Sequence, residues 1–324
     1  MPMEKYRSIT QLNIQTKASL FLLFSRKIKM AVIPINTKSN FHGRSISLPS
    51  RPHPLVLKCS QHLETLLSSS NETSSSSSLF HKIDGLRDLI ECVENLIQLP
   101  LTQDALVHDQ HQENWVNNLL DGSLRLLDVC SSAKDAVIHT KECTRELQSI
   151  IRRRGGGTEV TAEAKKFLTS RKIVKKAISK ALTNLKGNTK NCNMLSTNKD
   201  HQTLSLIKLL QDIEVATLST FQTILQFISG TTQSKSNSWG SISKLIQPKR
   251  VACSQLTDES EFAQVDVALQ SFIFTKTSKV EGINDLQNHL EKTESCIQDL
   301  EEGLEFLFRR LIKIRVSFLN ILNN

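Results

Sequence analysis

From Ile283 to Ile321 the chain places an apolar residue at alternating steps of three and four: Ile283, Leu286, Leu290, Thr293, Ile297, Leu300, Leu304, Leu307, Leu311, Ile314, Phe318 and Ile321. Thr293 is the single polar member. A seam this regular is what one continuous helix needs to bury one stripe against other helices. At 1.5 Å per residue it predicts a rod of ~58 Å. Because the chain offers many other helical stripes at high effective concentration, the seam is expected to pack inside the chain's own core, with self-association as the alternative.

The upstream pattern is helical too. A short apolar stretch, Leu55 to Leu67, predicts a first helix, and the Ser-rich run over residues 68–78 predicts a linker. Ile83, Leu86, Ile90, Val93 and Ile97 share one face until Pro100, whose ring clashes with a continuing helix. The next stripe holds its register from Trp115 and Val116 through Leu119, Leu126, Cys130, Ala133, Val137, Leu147 and Ile151, with Ser123, Thr140 and Thr144 as polar interruptions. Arg152 to Arg154 suit a helix C-terminus, and Gly155 to Gly157 break the chain. A helix from Glu159 to Leu185 follows on Val160, Ala164, Phe167, Val174, Ala181 and Leu185. Another, from Asp200 to Ser229, ends at Gly230.

Residues 231–256 read as a flexible connector, and Asp258 with Glu261 as a capping-box helix start. Nowhere do β-branched and aromatic residues alternate at period two. The expected fold is therefore all-α: an elongated antiparallel helical bundle with a long C-terminal heptad helix and a disordered N-terminal tail. Residues 1–54 form that tail and 55–324 the helical domain.

Composition adds a modest bias. The net charge is +9, and residues 1–29 hold Lys5, Arg7, Lys17, Arg26, Lys27 and Lys29 against Glu4 alone. Met30 offers a second start, so residues 1–29 read as an upstream extension, with an organelle transit peptide as the alternative. No apolar run approaches the ~20 residues of a transmembrane helix. The seven cysteines contain no Cys-x-x-Cys pair and read as reduced thiols of a cytoplasmic protein, so neither a zinc site nor a disulfide framework is expected.

Two surfaces carry candidate chemistry. Arg44, Ser45, Ser47 and Pro49 compose an R-S-x-S-x-P motif. An arginine three residues before Ser47 suits a basophilic kinase, and phosphate there would suit the Arg cluster of a 14-3-3 adaptor; the plainer reading is a chance match in a Ser/Arg-rich tail. Lys165, Lys166, Arg171, Lys172, Lys175, Lys176 and Lys180 follow one another with no acidic residue between them. They predict a basic surface for an acidic protein or an anionic membrane, set against an ordinary solvated face. Only Phe167 is aromatic in that stretch, which argues against nucleic acid.

Asp104, His108 and His111 would share a face if helical, but lack the fuller ligand set of a metal site. The glycine triplet lacks the Gly-Lys-Ser/Thr ending of a phosphate loop, and no nucleophile elbow, H-E-x-x-H or dinucleotide fingerprint occurs. Neither a metal, a cofactor nor an enzymatic activity is expected.

Several segments carry a family resemblance: MAVIPINTKSNFH from Met30, RSISLPSRPHP from Arg44, LPLTQDAL from Leu99, WVNNLLDGSLRLLDVC from Trp115, TKECTRELQSIIRRRGG from Thr140 and SRKIVKKAISKAL from Ser170. Together they resemble a plant-specific domain-of-unknown-function family similar to the BYPASS proteins, over roughly residues 30–324. The resemblance implies a helical protein without assigned catalytic residues, associated with root and shoot development, and it supports Met30 as the usual start. The functional expectation is a non-enzymatic interaction protein in plant developmental signalling. Its rival is a peripheral membrane protein docked through the basic helix 159–187.

Overall fold

Pro54 opens the first helix, where its missing N–H costs nothing and its fixed φ suits the first turn. The computed structural model describes residues 53–68, 75–107, 113–154, 158–187, 201–231, 260–274 and 279–323, all within the unit Arg51–Asn324. Among the described residues eight helices follow in order. They are α1 (Pro54–Ser68), α2 (Ser76–Ile97), α3 (Pro100–Val107), α4 (Glu113–Arg154), α5 (Thr158–Gly187), α6 (His201–Ser229), α7 (Glu261–Phe274) and α8 (Lys279–Asn323). No described residue is in a strand, so the fold is all-α.

Helix ends follow local chemistry. Ser75 caps α2 by accepting the Ser78 N–H at 3.3 Å, so the last serines of the Ser-rich run form a first helical turn rather than linker. The helix α6 ends on Gly230 at φ +71°. There the Thr231 N–H donates to Gln226 O at 3.2 Å and the Gly230 N–H to Phe227 O at 3.0 Å, a Schellman closure. Ser260 begins α7, its hydroxyl accepting the Ala263 N–H at 3.3 Å; Asp258 lies outside the described residues.

All twelve positions of the C-terminal seam are buried, on a single 45-residue helix. The helix α8 runs antiparallel to α4, as shown by Lys134 to Glu305 at 2.5 Å, Lys141 to Glu301, and Arg145 to Glu294 at 3.3 Å. The hairpin α4/α5 is antiparallel as well, with His139 on Ser170 and Glu146 on Lys166. Against α2, which is not its chain neighbour, α8 runs parallel: Ile83 meets Gly303, Glu94 pairs with Arg310, and Gln98 donates to Ser317. A Cβ on Gly303 would stand 2.9 Å from Ile83 Cγ2, so glycine lets these two helices close.

The core has two parts. The larger cluster gathers α1, α2, most of α6 and the C-terminal half of α8. The smaller joins Leu147, Ile151, Val160, Ala164 and Phe167 to Val265, Leu269, Ile283, Leu286 and Leu290. Four polar breaks in the apolar stripes fall at the junction between them, Thr140, Thr144, Arg171 and Thr293, all at most 2% exposed, whereas Ser123 lies within the larger cluster. The threonines stay satisfied by bonding their own helix, Thr140 to Ala136 O, Thr144 to Thr140 O and Thr293 to His289 O.

Candidate functional site

The inner stripe of α5 is Val160, Ala164, Phe167, Arg171, Val174 and Ile178, all buried. The steps of four and three put Arg171 in the core register, between Phe167 and Val174. Its side chain is 2% exposed, with Nε donating to Asp266 Oδ1 at 3.1 Å and Nη2 to Asp266 Oδ2 at 3.3 Å. Nη2 also donates to the Ile228 carbonyl at 2.8 Å, and the guanidinium carbon lies 5.3 Å from the centre of the Phe262 ring. Arg171 therefore ties α5 to α6 and α7 and does not belong to the basic surface. Lys175 leans the same way, its Nζ 2.9 Å from Asp266 Oδ2. Lys166 is paired too, with Glu146 at 2.8 Å and Glu163 at 3.2 Å, and the Glu146 hydrogen bond leads the effects that raise its pKa.

Four lysines remain. Lys165, Lys172, Lys176 and Lys180 are exposed, and no ion pair joins any of them among the described residues. At 100° per residue they occupy a sector of about 80° on the outer side of α5. Ile173, 62% exposed, stands at the edge of that sector. Of the other described cations, Arg309 pairs with Glu305, Arg310 with Glu91 and Glu94, and Arg125 with Glu214 at 2.6 Å, whereas Lys58, Lys208 and Lys292 are exposed singly, on three different helices. An uncompensated strip of four ammonium groups draws counter-charge from outside the bundle.

Other sequence candidates fare differently. Arg44, Ser45, Ser47 and Pro49 lie outside the described residues, as do His108 and His111. Asp104 is exposed on α3, and among the described residues no group of three or more His, Cys, Asp or Glu side chains is placed to hold a metal.

Two cavities and one side-chain cluster bear on catalysis. A cleft of about 430 Å³ opens between Arg125, Asp128 and Ser132 of α4 and Thr183, Asn184 and Leu185 of α5. A smaller apolar cavity of about 40 Å³ touches Glu214, whose carboxyl is pushed above its ordinary range by burial, against the opposing pull of Arg125. The sequence did not single out the contact of His139 Nε2 with Ser170 Oγ at 2.6 Å, beside Cys143 Sγ at 3.1 Å. The pairing required α4 and α5 to fold back on each other. A Ser–His pair needs a group orienting the imidazole and donors for a developing oxyanion. Here all three residues sit in mid-helix, where backbone N–H groups are spent on the helix ladder. The cluster reads as a polar clasp between α4 and α5.

Among the described residues, the fold and this surface define an all-helical bundle with four exposed lysines on one side of α5. The chain belongs to the family described as Protein BPS1, whose model matches residues 82–321. The resemblance to a BYPASS-like plant family noted in the sequence agrees with that match. No curated protein and no solved structure matches the chain. Among the described residues no helix is long and apolar enough to cross a membrane.

Proposed function

We propose that this chain is a non-enzymatic interaction protein of plant developmental signalling, which binds an acidic protein partner through the lysine face of α5. The observation that carries the reading is the exposure of Lys165, Lys172, Lys176 and Lys180 on one side of a helix whose other side is core, with no acid of the described fold to neutralise them. Membership of the BPS1 family supports the developmental setting, since that family resembles the BYPASS proteins and is not a known enzyme family. Phosphorylation of Ser47 belongs to the same reading: it would dock a 14-3-3 adaptor on the preceding tail, and a Ser47→Ala chain that kept adaptor binding undiminished would remove this part.

One observation favours a second reading. Ile173 beside the lysines gives the face an apolar tooth, as an anionic bilayer would use. The test compares wild type with a chain carrying Lys172→Glu, Lys176→Glu and Lys180→Glu, in copurification from root tissue and in sedimentation with phosphatidylserine vesicles. Loss of recovered proteins at an unchanged melting temperature supports the partner reading. Loss of vesicle binding alone supports the membrane reading, and unchanged behaviour in both refutes the surface.

A further inference from the structure

The sulfur atoms of Cys59 and Cys92 lie 2.8 Å apart, one on α1 and the other on α2. Cys92 Sγ also faces Leu55 O at 3.7 Å, and both side chains are buried, Cys59 at 0% and Cys92 at 3% exposure. By contrast, Cys130 Sγ points to a backbone carbonyl and Cys143 Sγ to the Ser170 hydroxyl. A disulfide needs its sulfurs at about 2.05 Å, so bonding this pair calls for a shift of under ~1 Å rather than a rearrangement. The sequence separation is 33 residues, large enough for a cross-link to restrict the unfolded chain substantially.

We infer that Cys59 and Cys92 form a reversible redox site, whose oxidation by a small-molecule disulfide such as oxidised glutathione bolts α1 to α2. The device needs a helix that can open, and α1 qualifies. It is 15 residues long and buries only Cys59, Leu63 and Leu66. Packed against α2, the thiols are shielded, and burial holds the Cys59 thiol well above its ordinary pKa, further helped by its contact with Cys92. Reaction therefore runs through the opened helix. There the Cys59 thiol gives its proton to solvent and attacks one sulfur of the glutathione disulfide, expelling one glutathione thiolate. The Cys92 thiolate then attacks Cys59 Sγ, forming the Cys59–Cys92 bond and expelling the second. Two electrons pass from the cysteine pair to the oxidant, and the two released thiolates take up the two protons.

The test uses the full chain, equilibrated in glutathione buffers from fully reduced to fully oxidised, quenched with acid and mapped by differential alkylation and peptide mass spectrometry. The expected result is one linked peptide pair joining Cys59 to Cys92, formed reversibly, with amide exchange in α1 slowed at least tenfold in the oxidised chain. Cys92→Ala should abolish both the cross-link and the slowing. A Cys59 and Cys92 that stay alkylatable across the whole series would overturn the proposal. So would stable glutathione adducts without the cross-link, a link formed instead to another cysteine, or α1 exchange indifferent to oxidation.

Discussion

Removing the carboxylate of Asp266 should damage this bundle far more than its position near a lysine-rich helix suggests. Its side chain is 7% exposed and faces a guanidinium that is 2% exposed. Asp266→Ala would leave Arg171 with the Ile228 carbonyl and the face of Phe262 as its remaining partners. Stranding one member of a buried ion pair costs about 3–5 kcal/mol, because the desolvation of the other is no longer offset. Arg171→Met, which removes the charge and keeps much of the stem, should cost less. The double variant Arg171→Met, Asp266→Leu should recover to within about 2 kcal/mol of wild type, since neither residue then brings an uncompensated charge inside. The assay is a double-mutant cycle by urea unfolding, where the pair predicts a coupling energy of about 2 kcal/mol or more. If Asp266→Ala cost under about 0.5 kcal/mol, as a surface substitution does, or if the two single effects simply added, the buried pair would not hold α5 to α7.

Three further outcomes follow from the same structure. Gly303→Leu should destabilise by about 2 kcal/mol or more by wedging α2 from α8 at Ile83, read by thermal melting; a neutral result would mean the helices do not approach there. Glu305 has its pKa depressed below the ordinary 4.5, first by the hydrogen bond from Lys134. Its stabilisation is therefore complete above that value and lost as pH falls through the lower folded-state value, so Lys134→Met should flatten the acid limb of stability measured below about pH 4.5. An acid limb unchanged by that substitution would contradict the pairing. Lys82 is 5% exposed and burial lowers its pKa, so Lys82→Met should raise the melting temperature at neutral pH, and a fall would mean the ammonium is satisfied in place.

The long helices were legible because period alone specifies them, whereas the eight-residue α3, Pro100–Val107, is too short to show one and was read as connector. Every seam residue from Ile283 to Ile321 is buried, and the breaks at Thr140, Thr144 and Thr293 mark the junction of the two core clusters. The basic surface was legible only in outline. Charge type suggested that Arg171 belonged with Lys172 and Lys176, whereas its register, four after Phe167 and three before Val174, placed it inside. Register outranked charge because Asp266 arrives from α7, ninety-five residues away, and no local pattern announces that partner. The parallel contact of α2 with α8, the Cys59–Cys92 approach and the His139–Ser170 clasp were hidden for the same reason. Each depends on which helix packs against which, and hydrophobic periodicity does not encode that choice.

In the proposed function, acidic groups of a partner protein meet the outer lysines of α5. Zero-length carbodiimide cross-linking tests it most directly, because it joins an amine to a carboxylate only where the two already touch. Applied to the full chain in native root extract and read by peptide mass spectrometry, it should link Lys172, Lys176 or Lys180 to aspartate or glutamate of a second protein, and high salt should suppress the links. Cross-links confined to this chain's own pairs, such as Lys134 to Glu305, with the α5 lysines unmodified by any partner, would contradict the account.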